Sequence, residues 1–347
     1  MENTSQKTIL VTGGAGFIGS HTARLLMEKG FKVVVLDNLS TGHAKFVTAP
    51  LIVGDLADKE LLNKVFAEHQ IDAVIHFASS LIVEESMSEP AKYFENNIIN
   101  GLNLLEAMRS HGVSRIIFSS SAAVYGEPVY SPLDEGHPKL PINAYGETKL
   151  IFEKILKWYA MAYSFSAVCL RYFNACGASL DGSIGEEKPV MTHLIPQVLK
   201  VAAKQMPVVK VFGNDYPTPD GTCVRDYIHV LDLAEAHYLA IPKVLNETGL
   251  FIYNVGTGKG FSVEEVVKAV MNVTGHTIPI EVSPRRPGDP AELVADNQKI
   301  VSELGFEPKF SDLPIIISTS WNWAKKLYNI KEGSQIEEIS AQPPLIE

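Results

Sequence analysis

The chain has 347 residues, 46% of them hydrophobic and 20% charged, and a formal net charge of −10 at neutral pH. That composition belongs to a soluble globular protein of one α/β domain plus a companion region and excludes disordered, collagen-like and coiled-coil chains. The acidic balance without a long basic run argues against nucleic acid or a membrane as the main partner, and three scattered cysteines, Cys169, Cys176 and Cys223, predict neither a disulfide framework nor a metal site.

The polar opening run Met1-Glu-Asn-Thr-Ser-Gln-Lys7 has no secretory or transit pattern and no apolar stretch is long enough to span a bilayer, so a reducing cytoplasm is the expected location. Residues 1–175 alternate short apolar runs with longer amphipathic ones, as parallel strands joined by crossover helices do. Strands are expected near residues 8–13, 32–37, 51–53, 72–78, 114–121 and 167–173, with long helices over 90–111 and 143–164. The fold class is α/β, a doubly wound parallel sheet of Rossmann type.

The second long helix carries Leu150, Ile151, Ile155, Trp158, Tyr159 and Met161, more than one apolar stripe, which predicts a further contact and with it a homodimer. After Asn174 the connections become Pro- and Gly-rich, as in Tyr216-Pro-Thr-Pro-Asp-Gly221 and Pro284-Arg-Arg-Pro-Gly-Asp-Pro290. Residues 176–330 are therefore expected to form a smaller, loop-rich substrate-binding region. It is interleaved with a dinucleotide-binding domain over 1–175, to which segments near 226–255 return; residues 331–347 read as a loose tail.

The run Thr12-Gly-Gly-Ala-Gly-Phe-Ile-Gly19 follows the first strand and opens a helix. Gly14, Gly16 and Gly19 give one glycine register, and Gly13, Gly16 and Gly19 another; both let backbone approach a pyrophosphate at a helix N-terminus. Asp37 ends the second strand where a carboxylate holds ribose hydroxyls, and with no arginine following at once the pattern favours NAD over NADP. Ser119-Ser-Ser121 closes the fifth strand, so Ser121 should emerge where ligands bind in such sheets. In Tyr145-Gly-Glu-Thr-Lys149 the phenol and ammonium share one helix face, where the cation would depress the phenol pKa and make Tyr145 a base for hydride transfer to a dinucleotide. Arg225 and Arg286 are candidate diphosphate ligands, because guanidinium forks match phosphate oxygens. His76 and His229 lie in apolar runs and are expected to be packed residues without chemistry.

Phe118-Ser-Ser-Ser-Ala-Ala-Val-Tyr-Gly126, Arg171-Tyr-Phe-Asn174, Phe212-Gly-Asn-Asp-Tyr-Pro-Thr-Pro-Asp-Gly-Thr222 and Val224-Arg-Asp-Tyr-Ile-His-Val230 extend the pattern over nearly the whole chain. With these segments the sequence resembles the extended short-chain dehydrogenase/reductases, the NAD-dependent epimerase/dehydratases, and within them the branch that inverts C4 of UDP-sugars. The resemblance implies cofactor contacts from Gly13, Gly16, Phe17, Ile18, Gly19, Asp37, Asn38, Leu39, Ser40, Thr41, Gly42, Asp55, Leu56, Phe77, Ala78, Ser79, Ser80, Leu81, Asn97, Ser121, Tyr145, Lys149 and Phe173. Ser121 and Tyr145 would face the sugar, while Asn174, His193, Leu194, Phe212, Arg225, Arg286 and Asp289 match positions that hold the UDP portion. Some members have asparagine at His193 and certain members have lysine at Leu81, and Leu293 stands where room for an N-acetyl group is set.

The implied activity is interconversion of UDP-glucose and UDP-galactose by hydride removal and return at C4, with UDP-N-acetylhexosamines or UDP-pentoses as alternative substrates. A 4,6-dehydratase is disfavoured because Ala122 and Ala123 after Ser121 supply no acid to eliminate water. A non-enzymatic NAD sensor would have no need of Ser121, Tyr145 and Lys149 together.

Overall fold

The expected strands form because they are short apolar runs that, apart from the edge strand at 51–53, sit largely buried between two helix layers. A computed structural model describes residues 6–188, 191–286 and 288–330. The first half runs β1 (Thr8–Thr12), α1 (Phe17–Glu28), β2 (Lys32–Asp37), β3 (Leu51–Val53), α2 (Lys59–Glu68), β4 (Ala73–His76), α3 (Val83–Ser88), α4 (Pro90–Phe94), α5 (Asn100–Ser110), β5 (Arg115–Ser121), α6 (Ala144–Tyr163) and β6 (Ser166–Tyr172). The remainder runs β7 (Asn174–Cys176), α7 (Leu194–Ala202), β8 (Val209–Phe212), β9 (Val224–His229), α8 (Val230–Asn246), β10 (Gly249–Val255), β11 (Gly260–Ser262), α9 (Val263–Thr274), β12 (Ile280–Ser283), β13 (Glu292–Leu293), α10 (Gln298–Leu304) and α11 (Leu313–Leu327). The predicted tail, residues 331–347, lies outside the described residues.

Seven parallel strands make the main sheet in the order β10-β6-β5-β4-β1-β2-β3. The order reverses between β1 and β4, and the crevice at the carboxyl ends of strands on either side of such a reversal is where open α/β sheets take ligands. One core, which includes Ile9, Val11, Leu26, Val168, Leu233 and Ile241, lies under α1 and α8; the other, which includes Leu10, Leu62, Leu105, Phe152 and Leu156, lies under α2, α5 and α6. A third core joins α7, α9 and α11 through Val198, Val267, Ile316 and Trp321. Short strands β7, β9, β11 and β13 form a second sheet beside it, and β8 pairs with β12.

Three strands are shorter than expected, β5 only by beginning at Arg115 rather than Ser114. β4 stops at His76 rather than continuing to Ala78, and β1 stops at Thr12, where Gly13 takes a left-handed φ of +72° outside the extended range of a strand. The predicted helix over 90–111 is continuous but not uniform: residues Glu95–Ile99 form a π-turn between α4 and α5. No helix among the described residues is long and apolar enough to cross a membrane.

Candidate active site

At the end of β1 the chain turns through bare backbone. A Cβ on Gly13 would lie 2.6 Å from the Ala78 nitrogen, one on Gly14 2.8 Å from a Val35 methyl, and one on Gly19 2.3 Å from the Gly13 carbonyl oxygen. Gly13, Gly14 and Gly19 thus leave no room for a side chain as the turn stands, whereas Gly16 is only tight, 3.2 Å from the Gly13 carbonyl oxygen; Gly13 is also required by its positive φ. Helix α1 begins at Phe17 with Gly16 as N-cap and no side-chain cap, leaving its first amides to the crevice. The partly buried Ile18 side chain packs against the core beneath α1.

Asp37 is buried at the end of β2 and accepts from the Ala15 amide at 2.9 Å and the Leu39 amide at 2.8 Å, fixing the glycine turn to the next loop. Asn38 donates to Asp55 at 2.7 Å and accepts from the Ser40 amide, and a Cβ on Gly42 would lie 2.9 Å from the Ala15 backbone. After β4, the Ser80 amide donates to Asn97 Oδ1 at 2.8 Å, while Asn97 Nδ2 donates to the Ser80 carbonyl and to Thr148 Oγ1, both at 3.0 Å. Asn97 sits in the π-turn, an irregularity that turns its amide inward to join the β4 loop to α6.

Asn143 caps α6, its side chain accepting from the Gly146 amide at 2.8 Å. A Cβ on Gly146 would lie 2.5 Å from the Ala123 carbonyl, so the glycine lets the first turn of α6 rest directly on the turn after Ser121. This contact brings Tyr145 to Ser121. The half-buried phenol is raised above its ordinary pKa by burial, and contact with the Ser121 hydroxyl draws it back only in part.

Lys149 is buried, donating to Ser79 Oγ at 2.9 Å and to the Ser119 carbonyl at 2.8 Å, with its Nζ 5.6 Å from the centre of the Tyr145 ring. Burial lowers it to about 7, Glu153 opposing. The depression of the phenol expected from Lys149 is therefore corrected: the lysine is itself stripped of solvent, with two of its three donors on Ser79 and Ser119, and burial decides the sign at Tyr145.

The substrate-side candidates form a second group. Arg225 on β9 pairs with Asp289 and donates to the Val224 carbonyl at 2.7 Å. Arg286 is exposed, its guanidinium carbon 3.9 Å from the centre of the Phe212 ring at the end of β8. Asn174 donates to the Asp226 carbonyl at 3.0 Å, and Leu194 opens α7 behind its N-cap His193. His193 Nδ1 lies 2.9 Å from Glu186, whose carboxyl burial pushes up but His193 and Lys188 more than offset, holding it at about 2. Leu293 pairs in register with Arg225 and packs, with Phe173, against the cluster of Ala122, Val124, Tyr125, Leu133 and Leu150 that follows Ser121. That packing joins the two groups.

A model of the NAD dependent epimerase/dehydratase family matches residues 9–256. The chain belongs to this family. A UDP-glucose 4-epimerase of Halalkalibacterium halodurans is 51% identical over 319 residues, 92% of this chain and 96% of the relative. Among solved structures, a UDP-glucose 4-epimerase from Brucella ovis in complex with NAD superposes with TM-score 0.89 at 47% identity, covering 92% of this chain and 98% of that one. One from Bifidobacterium longum in complex with NAD+ and UDP gives TM-score 0.88 at 43% identity, with the same coverage.

In this member of the epimerase/dehydratase family, several residues of the site carried no local sequence signal. Arg24 donates to Asp181 and Ser183, each at 2.9 Å, and Lys45 reaches Glu187 at 2.7 Å, tying the segment after β7 across α1 and the loop after β2. Trp323 on α11 holds the same segment through the Glu186 carbonyl at 3.0 Å and packs edge-on to Phe46. These pairs span more than a hundred residues of sequence, and charged residues at such separations give no periodic clue. His76 bonds Thr12 at 2.7 Å and His229 bonds Thr319 at 2.9 Å, packed as expected.

Proposed function

We propose that the chain is a nucleotide-sugar 4-epimerase that interconverts UDP-glucose and UDP-galactose through a transient 4-keto sugar and tightly held NAD. The reading is supported above all by one juxtaposition: Ser121, Tyr145 and Lys149 meet at the carboxyl end of β5, beside a glycine turn that no side chain could occupy. NAD fits that turn. Gly13, Gly16 and Gly19 leave the pyrophosphate access to the amides at the start of α1, Asp37 keeps carboxylate lone pairs for ribose hydroxyls, and Lys45, the first lysine or arginine after Asp37, is occupied by Glu187. Gly42, Asp55, the loop Phe77 to Leu81, Asn97 and Phe173 would line the rest of the coenzyme site.

Bound NAD supplies a reversible hydride acceptor at the sugar C4. Tyr145 takes the proton of the 4′-hydroxyl and returns it, the Ser121 hydroxyl orienting that transfer between phenol and sugar. Lys149, anchored by Ser79 and Ser119, holds positive charge beside the phenolate as it forms. Arg225 and Arg286 grip the diphosphate while Asn174, His193, Leu194 and Phe212 hold the uridine portion. With UDP fixed, the 4-keto sugar turns over and presents its opposite face, with Leu293 bounding the space available. Inversion follows without net oxidation.

Incubation with UDP-glucose, UDP-N-acetylglucosamine and UDP-xylose in separate reactions, with the epimers resolved, tests the reading. Conversion of UDP-glucose to a mixture with UDP-galactose is expected. No epimer from any of the three, or a lasting 4-keto-6-deoxy product, would overturn it.

In this reading residues 1–175 with the returning β9–β10 region bind NAD, and the rest up to residue 330 binds substrate. The active unit is a homodimer. Of the apolar residues noted on α6, Leu150 is buried and Ile155 and Tyr159 pack partly on the core, but Trp158 and Met161 are 65% and 66% exposed. Met87, Phe94 and Ile99 on the adjoining helical segments are exposed as well, and α6 lies against these segments. Such a patch calls for a cover, and a second copy supplies the same surface. Sedimentation velocity should give a dimer that Trp158→Glu converts to monomer; a monomeric parent protein at micromolar concentration would exclude it. We place the enzyme in the cytoplasm, in keeping with three buried free thiols, and co-fractionation with a periplasmic or secreted marker would contradict this.

A further inference from the structure

Behind Tyr145 and Lys149 lies a fully buried ion pair that the steps above do not use. Glu153 and Arg171 are 3% and 1% exposed, and the pair is bidentate, Nε to Oε1 at 2.9 Å and Nη2 to Oε2 at 2.5 Å. Ser120 Oγ donates to Glu153 Oε1 at 2.6 Å. Arg171 Nη1 donates to the Tyr125 hydroxyl at 3.0 Å, which donates to Asn254 Oδ1 at 2.6 Å, and Asn254 Nδ2 donates to the Leu133 carbonyl at 2.7 Å. Desolvating such a pair costs so much that well-packed apolar residues are often at least as stable, which directs attention to what the pair holds in place.

Its placement answers that. Tyr145, Lys149 and Glu153 recur every fourth residue and share one face of α6. Opposite them, three consecutive residues of β5 each engage one member of that stripe: the Ser119 carbonyl takes Lys149, the Ser120 hydroxyl reaches Glu153, and the Ser121 hydroxyl meets Tyr145. Arg171 adds β6 to the same lacing, in register with Ser120. A slip of α6 along the sheet would break all three contacts together.

We propose that Glu153 is a positioning residue for the reaction assigned above: it locks the carboxyl ends of β5 and β6 onto α6 and supplies the counter-charge one helical turn from Lys149. The inference rests on that epimerase reading and adds to it the residue that keeps Ser121, Tyr145 and Lys149 in mutual register. Groups facing Lys149 are Tyr145 and Glu153 on α6, Ser79 after β4, Phe118 and Ser119 on β5, and His76 on β4, which burial and Lys149 hold down at about 3 and therefore uncharged. Facing Glu153 are Arg171 and Cys169 on β6, the thiol pushed well up by burial, Ser120 on β5, and Lys139 from the preceding loop. Among these, Glu153 is the group that favours the charged lysine. Its removal makes Lys149 lose its proton at lower pH.

The test is the pH profile of turnover with UDP-glucose for the parent enzyme, Glu153→Gln/Arg171→Met and Ser120→Ala. The double variant removes both charges, so no unpaired ion is left buried. It should retain NAD and a KM within about twofold of the parent. Its kcat should fall about tenfold, and the alkaline limb should move about half a pH unit or more toward acid. An alkaline limb coincident with the parent's would overturn the proposal. If the double variant does not fold, Ser120→Ala decides alone: kcat lower by about threefold or more at unchanged KM supports the lock, and parent kinetics at every pH refute it. Inactivity of the parent enzyme itself would instead sink the epimerase reading.

Discussion

Replacing Tyr145 with phenylalanine is expected to lower kcat on UDP-glucose by about 100- to 10,000-fold, the ordinary contribution of a positioned acid–base group. The ring stays, so packing against Ser121 and the first turn of α6 is retained, and only the proton acceptor is lost. NAD content of the purified variant, read after denaturation, should match the parent's, because Tyr145 is not among the groups that shape the glycine turn or the Asp37 loop. Loss of turnover at unchanged coenzyme content would mark an interaction made in the transition state. Unchanged turnover would exclude the phenol as the base.

The electrostatics sharpen this expectation. Burial raises the Tyr145 phenol, and the same burial lowers Lys149 to about 7, so the protein alone does not keep the phenol ionised at neutral pH. A cation fully surrounded by water would be a weak partner; here Lys149 has exchanged water for Ser79 and Ser119, where its field acts through low dielectric on whatever charge develops nearby. The arrangement stabilises a phenolate only when a proton has somewhere to go. That suits a base used transiently.

Which of these features were legible in the sequence follows from distance along the chain. The β1 turn, Asp37 and the Tyr145–Lys149 pair were readable because strand and helix periodicities act within a few residues and fix which side chains share a face. The return of the chain near 226–255 was legible because an apolar run such as Leu250 to Val255 fits a buried parallel position, and it is β10 beside β6. By contrast Glu153 meets Ser120 across 33 residues and Arg171 across 18, and Asn97 meets Thr148 across 51. No local pattern encodes such partners. The cap strands β11 and β13 have three and two residues, too short to show alternation. Phenol acidity was misjudged for a related reason: spacing places a cation near a phenol, but only packing tells how much solvent both have lost.

Gly19→Ala is expected to weaken NAD binding about 5- to 150-fold while leaving the fold assembled. Position 19 has ordinary helical backbone, so alanine incurs no conformational penalty there and would even favour the helix. The obstacle is contact: the new methyl would lie 2.3 Å from the Gly13 carbonyl oxygen and 2.8 Å from the Gly14 Cα. Neither is the end of a flexible side chain, so α1 must move away from the turn. Overpacking of this kind costs about 1–3 kcal/mol, and the displacement falls on the amides that would receive the pyrophosphate, which converts the cost into lost affinity. Gly30→Ala supplies the contrast. Gly30 has a φ of +88° but nothing within 4 Å of its would-be Cβ, so alanine there strains the backbone by about 1–2 kcal/mol without touching the crevice. The two variants should separate in opposite senses: Gly30→Ala with a lowered melting temperature and parent NAD affinity, and Gly19→Ala with weakened NAD affinity by fluorescence titration. Equal NAD affinity in both would mean that the glycine turn does not hold the coenzyme.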